Sequence, residues 1–87
     1  MRIRNFGNFV TVEEEQGCPT LIHASQNIYR RKYKKLGVGS TSRKNGKDFL
    51  RLYTYDFSKI EDRKKRDKLM ADFVSEVQRE FIILKDK

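Results

Sequence analysis

The sequence predicts a small α+β domain in which a mainly antiparallel sheet of three to four strands packs against a C-terminal amphipathic helix. Three observations favour this fold class: β-branched and aromatic segments near the N-terminus, an Asn-Gly pair between strand-like segments, and a helical apolar stripe in the last third of the chain. A length of 87 residues leaves room for one domain, 1–87, with one modest core.

Two strands are predicted in the N-terminal third. Residues 9–13 are β-branched and aromatic, and Gly7 marks a bulge or bend before them. The only proline, Pro19, lies in a Gln-Gly-Cys-Pro segment that is typical of a turn. After this turn, residues 20–24 are predicted to form a second strand that pairs with the first.

Residues 25–36 fit two structures. In one, Ser25 caps a helix that ends at Gly37, because a glycine readily takes the left-handed conformation that follows a helix. The apolar stripe of this helix would be Ile28, Tyr29, Tyr33 and Leu36. In the other structure, residues 26–33 continue as an exposed strand. The position of Gly37 favours the helix.

A hairpin is predicted around Asn45-Gly46, because Asn and Gly accept the positive φ angles of a type I′ turn. The strand after it has two alternating sets of side chains: Phe49, Arg51, Tyr53 and Tyr55 on one face, and Leu50, Leu52 and Thr54 on the other. Because Leu50 and Leu52 suit a core, we expect the aromatic and Arg face to be partly exposed.

The last third of the chain is predicted to be a helix. Ser58 and Glu61 match a capping box, in which the two side chains accept from free backbone amides at the helix start. The apolar stripe comprises Met70, Phe73, Val74, Val77 and Phe81. No apolar side chain lies between Ile60 and Leu69. The first turns of the helix are therefore expected to be solvated or to meet a partner.

The positive charge is concentrated in one window. The formal net charge of the chain is +8, and residues 30–47 contain eight Lys or Arg and no acid. The rest of the chain is therefore balanced. A concentrated positive field attracts polyanions, and cation–phosphate contacts release counterions from nucleic acid.

The pattern inside this window favours DNA or RNA as the partner. Two tyrosines are interleaved with five cations over residues 29–35, so the rings can stack on unpaired bases while the cations hold phosphates. The hairpin adds a second group of cations, and Arg51 extends it along the next strand. The predicted nucleic-acid-binding residues are Tyr29, Arg30, Arg31, Lys32, Tyr33, Lys34, Lys35, Arg43, Lys44, Lys47 and Arg51.

The sequence does not predict an enzyme, a metal site or a cofactor. His23 is the only histidine and Cys18 the only cysteine, too few for a metal site. The Gly37-Val38-Gly39 segment lacks the third glycine and the preceding apolar strand of a dinucleotide site. We therefore expect non-catalytic binding.

The expected compartment is the cytoplasm, because Cys18 has no partner for an internal disulfide and the N-terminus lacks the apolar run of a signal peptide. No membrane contact is predicted. The alternative to nucleic acid is an acidic protein surface, on which the basic face would dock as a small inhibitor or adaptor, such as a phage-type modulator of a host protein. The sequence leaves DNA or RNA, strandedness and oligomeric state open.

Overall fold

A computed structural model describes residues 3–15, 20–44 and 49–85, which form a four-stranded antiparallel sheet and two helices. The strands are β1 (Ile3–Asn5), β2 (Phe9–Glu15), β3 (Gly39–Lys44) and β4 (Phe49–Asp56), in the spatial order β1-β2-β4-β3. The helices are α1 (Thr20–Ile28), which continues into a π-helical turn (Tyr29–Tyr33), and α2 (Arg63–Lys85). The predicted α+β class is confirmed.

Only one face of the sheet is covered by helices. Val10 pairs with Tyr55 and Val12 with Tyr53 across the antiparallel β2–β4 ladder, so these side chains share one face. Both helices pack on that face, and the opposite face, which carries Thr11 and Phe9, has no described helix on it; we call it the open face. The buried apolar core is Val10, Val12, Leu21, Ile22, Ala24, Ile28, Tyr33, Val38, Tyr55, Phe57, Met70, Phe73 and Val77.

The predicted C-terminal helix is confirmed, although it begins later than the capping box indicated. Of the predicted stripe, Met70, Phe73 and Val77 are fully buried, while Val74 and Phe81 pack against the core. The helix begins at Arg63, and the Asp62 carboxylate accepts hydrogen bonds from the backbone N–H groups of Lys64 (3.0 Å) and Lys65 (3.3 Å). Asp62 therefore caps the helix.

The proposed capping role of Ser58 is accordingly wrong. Its backbone N–H donates to the carboxylate of Asp56 at 2.8 Å, in a turn that precedes the helix. This hydrogen bond is the main reason why the pKa of Asp56 is lowered. The first turn of α2 is exposed, as expected from its lack of apolar residues.

The prediction of a strand at residues 20–24 is wrong, because this segment forms the first half of α1. Leu21, Ala24 and Ile28 are buried together, and their spacing of three and four residues is helical. Burial of this stripe against the sheet and α2 outweighs the weak strand preference of a short apolar run.

Ser25 lies in the middle of this helix and is therefore not its cap. Its hydroxyl donates to the carbonyl of Ile22 at 2.9 Å and lies 2.7 Å from the hydroxyl of Tyr55. The side chain is fully buried, and the hydrogen bond ties α1 to β4. Ser25 thus satisfies a buried phenol rather than a helix end.

The helical alternative for residues 25–36 is confirmed up to Tyr33, and Gly37 ends it as predicted. Gly37 has a φ of 90°, which a residue with a Cβ adopts only with strain. The last turn of the helix is widened, because the backbone N–H of Lys34 donates to the carbonyl of Tyr29 at 3.0 Å, five residues back. Gly7 also has a φ of 90°, which confirms the predicted bend before β2.

The two faces of β4 are reversed relative to the prediction. Tyr55 is fully buried in the core and Tyr53 packs against it, whereas Leu52 is half-buried on the open face. Alternation alone separates two sets of side chains, and the position of the helices decides which set is covered. β3 and β4 are antiparallel neighbours, as a hairpin requires. The Asn45-Gly46 turn and the predicted turn at Pro19 lie outside the described residues.

Candidate nucleic-acid interface

β3 lies at the edge of the sheet, and the basic window of the sequence runs onto it and along it. The strand follows β4 in the sheet order, and no described strand pairs with its outer side. Its side chains from Ser40 to Lys44 are all exposed. An edge strand presents unpaired backbone N–H and C=O groups along its outer side. This strand therefore combines free backbone groups, three hydroxyl side chains and two cations.

The two cations at the end of β3 point to opposite faces of the sheet. Lys44 pairs with Arg51, which lies on the same face as Tyr53 and therefore on the helix side. Arg43 pairs with Leu52 on the open side. All three cations are exposed. They therefore surround the end of the edge strand on both faces.

Lys34 and Lys35 lie at the opposite end of β3. They are exposed residues of the turn that joins the π-helical turn to the strand, and this turn is closed by the backbone hydrogen bond from Gly37 to the carbonyl of Lys34 at 3.2 Å. Five steps of about 3.3 Å along β3 separate Gly39 from Lys44, so the two ends of the strand are on the order of 17 Å apart.

Arg30 is an exposed residue of the π-helical turn, which lies on the helix side of the sheet. Burial raises the pKa of Tyr55 to about 12, and the nearby positive charge of Arg30 opposes this shift. Tyr55 pairs with Ser40 of β3, so the phenol on which Arg30 acts belongs to the strand next to the edge strand. The Arg30 side chain itself is exposed.

None of these cations forms an ion pair with another described residue. We call the set the edge cations: Arg30, Lys34, Lys35, Arg43, Lys44 and Arg51. Two acids lie in the sheet near these cations: Glu14 of β2 is the register partner of Arg51, and Asp56 of β4 is the register partner of Gly39. The other predicted cation of the hairpin, Lys47, lies outside the described residues.

Arg31 and Lys32, which were predicted to contact phosphate, are paired with acids of α2. The Arg31 guanidinium lies 3.2 Å from the Glu80 carboxylate, and the Lys32 ammonium lies 3.5 Å from that of Glu76. Glu80 is nearly buried, with 10% of its side chain exposed, and it also accepts from the Asn27 amide at 3.4 Å. These two cations stabilise the α1–α2 contact, and we exclude them from the interface.

The two tyrosines predicted to stack on bases are part of the folded body. Tyr33 is fully buried, with its ring edge-on to Phe73 at 5.0 Å, and its hydroxyl donates to Glu76 at 3.1 Å. Burial and the Glu76 carboxylate raise its pKa. Tyr29 is half-buried: its ring lies 5.3 Å from that of Tyr55, and its hydroxyl donates to the carbonyl of Val38 at 2.7 Å. Tyr33 has no free ring face for a base.

Two features of this region were not predicted from the sequence: the acids Glu76 and Glu80, which neutralise part of the basic window, and an exposed pair of rings, Phe6 and Phe9. A helical spacing does show which face of the helix Arg31 and Lys32 occupy, although it does not reveal their acidic partners. Arg31 and Lys32 follow the buried Ile28 by three and four residues, so they share its face of the helix. That face meets α2.

In comparisons with known proteins, no protein-family model, curated protein or solved structure matches the chain. Within the described ranges, no group of three or more His, Cys, Asp or Glu is placed to hold a metal ion. The only histidine, His23, is exposed on α1. No helix among these residues is long and apolar enough to cross a membrane.

Proposed function

We propose that this chain is a non-catalytic nucleic-acid-binding protein that holds the phosphates of DNA or RNA along the β3 edge. The observation that carries the proposal is the set of edge cations, which are exposed and have no ion-pair partner among the described residues. Lys and Arg contacts to phosphate release condensed counterions, and this release supplies most of the sequence-independent affinity for nucleic acid.

The side chains of β3 suit contact with a phosphate backbone. Ser40, Thr41 and Ser42 are small and exposed, so a polymer can approach the strand closely. Their hydroxyls and the unpaired backbone N–H groups of an edge strand donate hydrogen bonds to phosphate oxygens. The cations at the two ends and beside the strand supply the charge.

The charge of this edge also argues against pairing between two copies of the chain. An antiparallel β3–β3 contact brings cations of one copy close to those of the other, and like charges across strands are destabilising. A polyanion removes this repulsion. The proposed contacts are therefore the edge cations together with Lys47, which remains a prediction from the sequence.

Fluorescence-anisotropy titrations with short single-stranded and duplex oligonucleotides, over a series of salt concentrations, test the proposal. We expect the logarithm of the affinity to fall linearly with the logarithm of the salt concentration. A variant with Lys34→Glu, Lys35→Glu and Lys44→Glu should lose most of the affinity and most of the slope. Each lost contact lowers the slope by about 0.7 for single strands and about 0.9 for duplexes.

The matched control reverses three exposed lysines of α2, with Lys64→Glu, Lys65→Glu and Lys68→Glu. It changes the net charge by the same amount and places acids near a helix N-terminus, where they are favourable. This control should retain binding. Equal losses in the two variants would mean that net charge alone, and not the β3 edge, attracts the polymer.

The same titrations distinguish the alternative partner, an acidic protein surface. A protein inhibitor or adaptor forms a stoichiometric complex with one protein and ignores competitor DNA. A chain that bound neither probe at low salt would contradict the nucleic-acid proposal.

A further inference from the structure

Phe6 and Phe9 form an exposed pair of stacked rings at the turn between β1 and β2. Their centroids are 5.1 Å apart and their planes are inclined by 21°. Phe6 is 53% exposed and Phe9 37%, and no other aromatic side chain among those described is classed as exposed. The folded chain leaves these two rings exposed to water, so packing in the core is not the reason for two aromatic residues at these positions.

The turn that carries the pair is held by hydrogen bonds at each step. The backbone N–H of Phe6 donates to the carbonyl of Phe9 at 2.8 Å, and that of Gly7 donates to the side-chain oxygen of Asn5 at 2.9 Å. The carbonyl of Asn8 accepts from the N–H of Phe57 at 2.9 Å, which ties the turn to the chain just after β4. The rings are therefore presented by an ordered turn and need little rearrangement to bind.

The pair lies near the start of the β3 edge. Phe9 pairs with Asp56 of β4, and Asp56 pairs on its other side with Gly39, the first residue of β3. Two strand spacings, about 10 Å, therefore separate Phe9 from the edge strand. Lys34 and Lys35 lie in the turn that leads into the same end of β3. The aromatic pair and these two lysines thus lie towards the same end of the sheet, with Phe9 on the face opposite the helices.

We infer that Phe6 and Phe9 form a platform on which unpaired bases stack, so that the preferred ligand is single-stranded nucleic acid. This inference rests on the proposed function, because the β3 edge would hold the phosphates beside the platform. Stacking on aromatic rings is sequence-tolerant and needs a base whose face is free, which a duplex does not offer. Next to the platform, the Asp56 carboxylate disfavours a phosphate but not a neutral base.

The test compares Phe6→Ala, Phe9→Ala and the double variant with the wild-type chain. The probes are a single-stranded oligonucleotide that contains 2-aminopurine and the duplex of the same sequence. We expect the double variant to lose about tenfold in single-strand affinity, while duplex affinity and the salt slope stay unchanged. Binding to the wild-type chain should change the 2-aminopurine fluorescence through stacking, and the double variant should lose this change.

Two controls keep the result specific. Ile82→Ala with Ile83→Ala removes two exposed apolar side chains from the other end of the chain and should bind as the wild-type chain does. Phe6→Tyr with Phe9→Tyr retains the rings and should restore binding and the fluorescence change. Circular dichroism checks that each variant is folded.

The outcomes separate the two proposals. If the wild-type chain binds with the expected salt slope but the double alanine variant binds single strands equally well, the platform is wrong and the β3 edge stands. Equal losses for single strand and duplex would also overturn the platform. If the wild-type chain binds neither probe, both proposals fail. If sedimentation shows that the phenylalanines hold two copies of the chain together, they form a protein contact instead.

Discussion

The basic window of this chain splits into two regions with different surroundings, the π-helical turn and the β3 edge. In the π-helical turn, Arg31 and Lys32 lie against α2 and are paired with Glu80 and Glu76. Along the β3 edge, the cations have no ion-pair partner among the described residues. The comparison teaches that neighbouring cations in a sequence can serve stability or ligand binding, and that the face of the element they occupy decides which.

The largest expected effect comes from Tyr33, the aromatic residue on the structural side of this comparison. Tyr33→Ala leaves a cavity among Phe57, Phe73 and the rest of the core, and should lower the free energy of unfolding by about 3–5 kcal/mol. Urea denaturation followed by circular dichroism measures this loss. Tyr33→Phe keeps the ring and should cost about 1 kcal/mol for the lost hydrogen bond.

These variants also separate core packing from base stacking. Because Tyr33→Phe retains a buried ring, its nucleic-acid affinity should equal that of the wild-type chain. A folded Tyr33→Ala variant with normal stability but weak binding would contradict the assignment of Tyr33 to the core.

Part of the fold and of the candidate interface was predictable from the sequence. The β2 strand, the Met70–Phe81 stripe and the role of Gly37 follow from local periodicity and backbone preference, and the structure has all three. The edge position of β3 did not follow, because alternation in a hairpin does not reveal which strand remains unpaired.

The burial of Tyr55 and the acids opposite Arg31 and Lys32 also needed the tertiary structure. Two faces of β4 were both apolar enough to be buried, and only the placement of both helices on one side chose the tyrosine face. Glu80 lies 49 residues from Arg31 in sequence, so no local pattern connects them.

The pH dependence of stability tests the structural role of the two buried tyrosines, Tyr33 and Tyr55. Burial raises the pKa of each, to about 12 for Tyr55, so the folded chain holds protons that the unfolded chain releases from about pH 10. The stabilisation is complete below pH 10 and is lost as the pH rises through the folded pKa. Stability should therefore fall above pH 10, by up to about 1.4 kcal/mol per pH unit for Tyr55 and by less for Tyr33, whose hydroxyl makes a part-buried hydrogen bond that solvent screens.

Thermal melting from pH 8 to 12, with phenolate absorbance as a second signal, measures this dependence. Tyr55→Phe should be less stable at neutral pH, because it loses the contact with Ser25, but it should decline less steeply above pH 10. A profile as steep as that of the wild-type chain would exclude Tyr55 as a source of the alkaline loss.

A smaller effect is expected from the paired cations. Among the described residues, Arg31→Ala leaves the nearly buried Glu80 carboxylate with the long hydrogen bond from Asn27 alone, and should destabilise the chain by about 1–2 kcal/mol. Because 65% of the Arg31 side chain is exposed, solvent screens its charge, and the expected loss of stability is no larger than this. Urea denaturation measures the loss.

The same variant should leave the affinity and salt slope for a single-stranded probe unchanged, since Arg31 is not among the edge cations. A matched comparison is Arg30→Ala, one residue earlier, which should show the reverse behaviour. Loss of binding in Arg31→Ala with full stability would mean that its ion pair opens to meet phosphate.

The smallest expected effect on stability belongs to a single edge cation. Lys34 is exposed and forms no ion pair with a described residue, so Lys34→Ala should change the free energy of unfolding by less than about 0.5 kcal/mol. Its nucleic-acid affinity at low salt should fall about threefold, with a decrease of about 0.7 in the single-strand salt slope. Lys64→Ala removes an equally exposed charge from α2 and should change neither quantity. Because the two variants differ only in where one positive charge is removed, a loss confined to Lys34→Ala would locate phosphate contact at the β3 edge, and identical titrations would remove Lys34 from it.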